Sequence, residues 1–308
     1  ATDRIRRLLE RRGLPPHTIL QSLQTNATTI DAAWCDCFER NGMHVGVSMD
    51  GPAFLHDAHR VTRTGLPTHA AVMRGIGWLQ RRGIPFQVIC VLTAAALDHA
   101  ADMADFFLEH GIRDVGFNME ETEGSNARSS LEADGGERLA LEARYRAFLA
   151  VFWERCQADP EGLQIREFDG VTSLACSGDR LSFTDMNRPF AIVNVDVQGN
   201  VSTFDPELLS VSTAEYGDFS FGNVLSHSLE QLAATEKFRR VHGEIAAGVE
   251  LCRRSCEYFG LCGGGAGSNK YWEHGRFDGS VTEACRYRIQ LVADVVVAGM
   301  ERELGLSA

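Results

Sequence analysis

The segment CRRSCEYFGLCGGGAGSNKYWEHG, followed by one more cysteine, constrains this chain more than any other feature, because it asks separated side chains to close on one point. Cys252, Cys256, Cys262 and Cys285 are spaced C-x3-C-x5-C-x22-C, with three thiols in one compact loop and the fourth at the start of the last helix. Four thiolates in this arrangement suit a tetrahedral zinc or a cubane iron–sulfur cluster, since both require soft anionic ligands. The backbone must bend sharply around either group, and Gly260, Gly263, Gly264, Gly265 and Gly267 permit it. Spacing alone leaves both metals open.

Composition narrows the setting. With 308 residues, 44% of them hydrophobic, the chain is long enough to bury a full core in one large or two medium domains. Nine cysteines are an odd number, and no signal peptide opens the sequence, so the pattern is not a secreted disulfide framework and a reducing cytoplasm is expected. A net charge of -12 excludes a general binder of nucleic acid or membrane surfaces and leaves basic peptides as suitable partners. The most apolar stretch, 281–304, is interrupted by Glu283, Arg286, Arg288, Asp294, Glu301 and Arg302, and reads as an amphipathic terminal helix rather than a membrane span.

Through the first half, short apolar runs alternate with helical patterns, as in consecutive βα units of a parallel sheet. Strands are predicted at 19–23, 44–48, 86–92 and 115–118, and helices at 2–12, 31–40, 68–82 and 97–110, with Gly13, Gly42, Gly83 and Gly111 at helix ends. Polar groups follow each strand: Gln24, Thr25 and Asn26; Ser48 and Asp50; Thr93; then Glu120, Glu121 and Glu123. In such folds the carboxyl ends of the strands form the ligand face. A polar loop at 125–135 and a helix at 137–157 follow, and then the pattern changes: 191–204 reads as a hairpin turning at Gln198 and Gly199. A domain boundary is expected near 172.

The cysteine loop, followed by NK, an EHG turn and a last cysteine, resembles the auxiliary-cluster (SPASM) domain of radical S-adenosylmethionine (radical SAM) enzymes. QTNATTID, GVSMDGPAFLHDAHRVTRTG, FQVICVLT, GFNMEETEGSN, GNVSTFDPELL, YGDFSFGNV and CEYFGLCGGG recur in this order in radical SAM/SPASM peptide maturases that form cyclophanes in glycine-rich-repeat precursor peptides. These blocks cover about 24–286. The resemblance implies an α/β chain: a partial (β/α) barrel of the radical SAM type, N-terminally incomplete, over 1–172, then a small α+β SPASM domain over 173–308. One departure stands out. The C-x3-C-x2-C motif that such enzymes carry on their first barrel strand is absent, and Cys35 and Cys37 of WCDC lie on a helix where i and i+2 point apart. The expectation is that the motif lies upstream of Ala1; the other reading is a degenerate relative that binds peptide without radical chemistry.

The resemblance also implies the chemistry. Cys252, Cys256, Cys262 and Cys285 would hold a [4Fe–4S] auxiliary cluster, S-adenosylmethionine would be bound, and a catalytic [4Fe–4S] cluster is expected only with the missing segment. A radical at a side-chain β-carbon of a precursor peptide would add to an aromatic ring, and rearomatisation would require a base and an electron acceptor. Thioether formation or residue oxidation from the same start is the alternative, and a ferredoxin or flavodoxin would supply electrons. Asn26, Ser48 and Asp50 stand where such folds contact the cofactor, Arg60 and Arg63 could reach its carboxylate, and ordinary turn or ion-pair chemistry competes at each. Glu121 and Glu123, alternate residues of an extended chain, could face one way and raise one another's proton affinity. Asp205 and Glu207 of FDPELL are the other candidate bases; Asp205 stands where related enzymes place an acid beside the substrate, although close relatives have serine there, and Pro206 would hold it extended. Phe204 occupies the place of a further cysteine in two-cluster relatives, which speaks against a second auxiliary cluster, while Cys90 reads as a buried strand thiol and Cys156 and Cys176 as ordinary residues.

Overall fold

Strand-length apolar runs separated by glycine-terminated helices build one parallel sheet. The computed structural model describes residues 2–15, 19–124, 126–209 and 211–306. Along the chain come α1 (Thr2–Arg11), β1 (Gln21–Thr25), α2 (Ala32–Asn41), β2 (Met43–Ser48), α3 (Ala53–His59), α4 (His69–Arg81), β3 (Phe86–Leu92), α5 (Ala100–Glu109), β4 (Asp114–Met119), α6 (Gly135–Ala158), β5 (Gln164–Ile165) and α7 (Arg166–Ser177). The five strands lie in sequence order β1-β2-β3-β4-β5, with Leu23 paired to Val45 and Val47 to Val88. Punctuation follows local chemistry. Asp31 caps α2 by accepting from the Trp34 amide at 3.0 Å, and Gly42 closes it with φ 59°, where a side chain would be strained. Val45, Val47, Val88, Cys90, Val115 and Phe117 are buried, as are Val72, Ile76, Leu79, Met103 and Phe107 of the helices.

Three expectations need correction. β1 lies two residues later than 19–23, since Ile19 and Leu20, although apolar, are exposed, while Gln24 and Thr25 pair with β2. β4 ends at Met119, so Glu121 and Glu123 are not on a continuing strand. Helices α3 and α7 were not anticipated; α3 starts directly after Pro52, a favourable first-turn residue, within a stretch too short for periodicity to show.

Residues 1–118 with 151–166 form one compact unit, and 119–150 with 167–308 form another. In the second, the expected hairpin is β6 (Val193–Val195) against β7 (Asn200–Thr203), turned by Gly199 at φ 85° with the Asp196 carboxylate accepting from the Gln198 and Asn200 amides. Then follow β8 (Ser212–Thr213), β9 (Gly217–Asp218), β10 (Gly222–Asn223), α8 (Leu229–Ala233), α9 (Glu236–Ser255), α10 (Phe259–Cys262), α11 (Gly267–His274), α12 (Glu283–Cys285), a π-helical turn (Arg286–Leu291) and α13 (Val292–Glu303). Phe204, Phe219, Val241, Ile245 and Phe277 centre its core. The last segment is amphipathic as expected, burying Tyr287, Leu291, Val292 and Val296. Among the described residues no helix is long and apolar enough to cross a membrane.

Candidate functional site

The four cysteines of the glycine-rich segment line one cavity of about 200 Å³. Cys252 sits in the last turn of α9, Cys256 caps it, Cys262 ends α10 and Cys285 ends α12. Between Cys262 and α11 the chain takes three successive left-handed steps, Gly263 (φ 60°), Gly264 (φ 98°) and Gly265 (φ 68°), and a Cβ on Gly263 would lie 2.5 Å from the Phe183 carbonyl oxygen. The turn aims the Gly264 amide at Cys262 Sγ, 3.4 Å away. Asn187 clamps it: buried Nδ2 donates to the carbonyls of Gly263 (2.9 Å) and Gly265 (3.0 Å), and Oδ1 accepts from the Thr184 amide. Cys285 is fixed from its own side, where Thr282 Oγ1 accepts from its amide at 3.0 Å and the Glu273 carboxylate accepts from the amides of Glu283 and Ala284.

Four soft thiol donors lining one cavity fit, by their chemistry, either a tetrahedral zinc or a cubane iron–sulfur cluster. Burial raises the proton affinity of Cys262, and burial with the other three thiols raises that of Cys285 to about 12. Such thiols become thiolates only against bound positive charge.

Beside this cavity the second unit gathers all four carboxylates named from the sequence. Asp205 is buried, extended at φ -110° and ψ 133° as expected before Pro206, and also caps the following turn by accepting from the Glu207 amide at 3.1 Å. Its other oxygen accepts from the Ser268 hydroxyl. Glu121 accepts from Asn269 Nδ2 at 2.7 Å and from Arg288 Nη1 at 3.0 Å. Burial, then the charges of Glu121, Glu207 and Asp205, push the Glu123 carboxyl up to about 7, with Arg288 opposing. Glu207 is raised by burial and by Asp205 and Glu121. Glu121 thus acts on Glu123 without a strand to align the two. Arg288 and Asn269, which hold Glu121, also line the cysteine cavity. Sequence reasoning missed Asn187, Ser268, Asn269, Lys270 and Arg288; the SNK triplet beside the glycines and the three-residue step from Cys285 to Arg288 were the available signals.

In the first unit, Asp50 and Arg60 meet each other. Arg60 donates through Nε (2.5 Å) and Nη2 (2.9 Å) to the two oxygens of buried Asp50, which also accepts from the Val91 amide at 2.9 Å. His56, pulled down to about 4 by burial and therefore neutral, accepts from the Asp50 amide through Nδ1 and bonds Thr68 through Nε2. Asn26 serves its own turn, accepting from the Thr28 amide and hydroxyl, Ser48 accepts from Gln24, and Arg63 is exposed. Cys35 is buried on α2, Cys37 lies two residues along it, and Cys90 is buried in β3.

No family model matches the chain. It is 54% identical over 286 residues to the uncharacterized protein sll1766 of Synechocystis sp., an alignment covering 93% of this chain and 71% of that protein. It is 23% identical to the serine-type anaerobic sulfatase-maturating enzyme of Bacteroides thetaiotaomicron over 85% of this chain, and 27% identical to the cysteine-type enzyme of Clostridium perfringens over 80%; in each case 64% of the relative is spanned. Among solved structures, native anSMEcpe with bound AdoMet and Cp18Cys peptide superposes with a TM-score of 0.74 at 22% identity, covering 100% of this chain and 83% of that one. Streptococcus suis SuiB bound to precursor peptide SuiA superposes at 0.55 and 12% identity, over 87% and 59% of the two chains.

Proposed function

From the premise that this chain belongs to the family of the Synechocystis protein sll1766, and with the anaerobic sulfatase-maturating enzymes to the radical SAM maturases, we propose that it serves the maturation of a ribosomally made precursor peptide by forming a carbon–carbon cyclophane crosslink. The supporting observation is that Arg288 and Asn269 belong at once to the cavity of four cysteines and to the group of four carboxylates. Closing a ring-to-β-carbon bond leaves the aromatic ring with one proton and one electron to lose, and the two acceptors must then stand close together. When bound, S-adenosylmethionine and iron–sulfur clusters would supply the radical start and the electron acceptor.

The chain's own residues do the rest in this reading. Cys252, Cys256, Cys262 and Cys285 would hold the auxiliary [4Fe–4S] group, with the glycine turn shaping the loop that carries Cys262. Asp205, fixed by Ser268 and the Glu207 amide, faces the ring as base. Glu123, half-charged near neutral pH, holds the proton once it has left, and Glu207 shares that charge. Arg288 holds Glu121 in place, and the nearby charge of Glu121 favours the proton on Glu123. Residues 1–172 would be the radical SAM part and 173–308 the SPASM part. In the radical SAM part, Asp50 and Arg60, which form one rigid pair, would with Asn26, Ser48 and Arg63 contact S-adenosylmethionine. A ferredoxin or flavodoxin of the cytoplasm would deliver electrons, and the catalytic cluster belongs to whatever polypeptide carries the C-x3-C-x2-C motif.

Iron, sulfide and zinc assays on the anaerobically purified chain test this. About four irons with matching sulfide are expected for one cubane. Stoichiometric zinc without iron would overturn the radical reading.

A further inference from the structure

We propose that Lys270 is the countercharge of the four-thiolate site and sets the potential at which a cluster there takes up an electron; this rests on Cys252, Cys256, Cys262 and Cys285 being cluster ligands. The chain is strongly biased toward arginine and has only two lysines, Lys237 and Lys270. Lys237 lies on the surface, paired with Asp218. Lys270 is 4% exposed on α11, and its Nζ donates to Cys252 Sγ at 3.5 Å.

Burying an ammonium costs several kcal/mol unless an opposite charge stands beside it. Among the described residues no carboxylate pairs with Lys270. Two cations line the cysteine cavity, and Arg288 is already neutralised by Glu121 at 3.0 Å. The charge of Lys270 is therefore left to the sulfurs. Space is reserved for it as well: α9 carries Gly248 opposite, where a Cβ would lie 3.1 Å from Nζ and 2.4 Å from the Phe277 carbonyl oxygen.

A cubane held by four thiolates is net negative, and each added electron makes it more so. A fixed positive charge donating a hydrogen bond to one ligand sulfur stabilises the reduced form and raises the potential. Lys270 would thereby help the site take an electron from the substrate, while Arg288 serves the carboxylates.

Wild type, Lys270→Gln and Lys270→Arg, each purified anaerobically, are assayed for iron and sulfide and titrated with a graded reductant under electron paramagnetic resonance. With iron bound in all three, Lys270→Gln should be harder to reduce by about tenfold in the equilibrium constant, about 59 mV for one electron, and Lys270→Arg should stay nearer wild type. Loss of iron in Lys270→Gln but not in Lys270→Arg supports the countercharge by showing that the cluster needs it to be held. Equal potentials in wild type and Lys270→Gln overturn the inference, as do equal losses or shifts in both variants, which would mean shape and not charge. A wild-type chain without iron instead removes the cluster reading itself, and this inference with it.

Discussion

Replacing Asn187 by alanine should loosen the turn that carries Cys262 without touching a ligand. The amide makes three hydrogen bonds: to the carbonyls of Gly263 and Gly265, and from the Thr184 amide at 2.9 Å. The bond to Gly263 is fully buried and the other two are partly so. An abandoned buried acceptor costs about 1–3 kcal/mol, and a half-exposed one, which water can reach, about 1 kcal/mol or less. The sum is about 1–5 kcal/mol, before any loss of cluster. Alanine leaves the carbonyls of Gly263 and Gly265 without the side chain that holds them. Urea unfolding of the metal-free chain gives the first number, and iron retained after a timed chelator challenge gives the second. Asn187→Asp is the sharper variant, because it is nearly isosteric yet turns a donor into an acceptor against two carbonyl oxygens. It should be at least as unstable as Asn187→Ala. A loss below about 0.5 kcal/mol in both variants, with wild-type iron retention, would refute the clamp.

Two other perturbations read separate parts of the molecule. Arg60→Ala strips the fork from buried Asp50; breaking a buried pair costs about 3–5 kcal/mol, and since the Arg60 side chain is 28% exposed, about 2–3 kcal/mol is expected here, with Arg60→Lys in between because one ammonium reproduces half of the fork. A denaturation midpoint for Arg60→Lys equal to wild type would mean that only charge matters at this pair. Glu123→Gln reports on pH. The folded chain holds the Glu123 proton up to about 7, against an ordinary glutamate value of about 4.3. Below pH ~4 the carboxyl is neutral in both states; as pH rises from there to about 7, ionisation increasingly favours the unfolded chain, so the stability that the neutral carboxyl allows is lost across that window. Glutamine carries no such charge. The variant should match wild type in stability at pH 4 and exceed it at pH 8, and a difference independent of pH would show that Glu123 is not the group affected.

What was legible in the sequence followed from short-range chemistry. β3 lies at the predicted 86–92 because FQVICVL is apolar and β-branched and ends at a polar turn. The hairpin at Gly199 and the ends of α2 and α4 were legible for the same reason: glycine and aspartate at turns act through their own backbone. β1 was misplaced because apolarity alone stood for pairing, whereas strand order is set by register against a neighbour. The four cysteines were legible because few other chemistries ask for that spacing. Their support was not. Asn187 acts on carbonyls 76 and 78 residues away, and nothing in an asparagine between Met186 and Arg188 indicates which backbone it will meet. Asp50 and Arg60 were each visible as polar groups after a strand, but their pairing arises only when the turn through α3 brings residue 60 back over β2.

The division of charge around the cysteine cavity explains why two cations stand there and why they differ in kind. Arg288 donates to one oxygen of Glu121 and leaves the other to the side-chain amide of Asn269. A lysine suits a sulfur because thiolate offers no bidentate partner, and a compact charge can be buried behind it. If both were lysines, Glu121 would be held less rigidly, and its charge, which keeps the proton on Glu123, would wander. In this reading the site must lose a proton on one side and an electron on the other, and each exit has its own fixed cation. Perturbing Arg288 should therefore act first on the titration of the carboxylates, and perturbing Lys270 first on the reduction of the cluster.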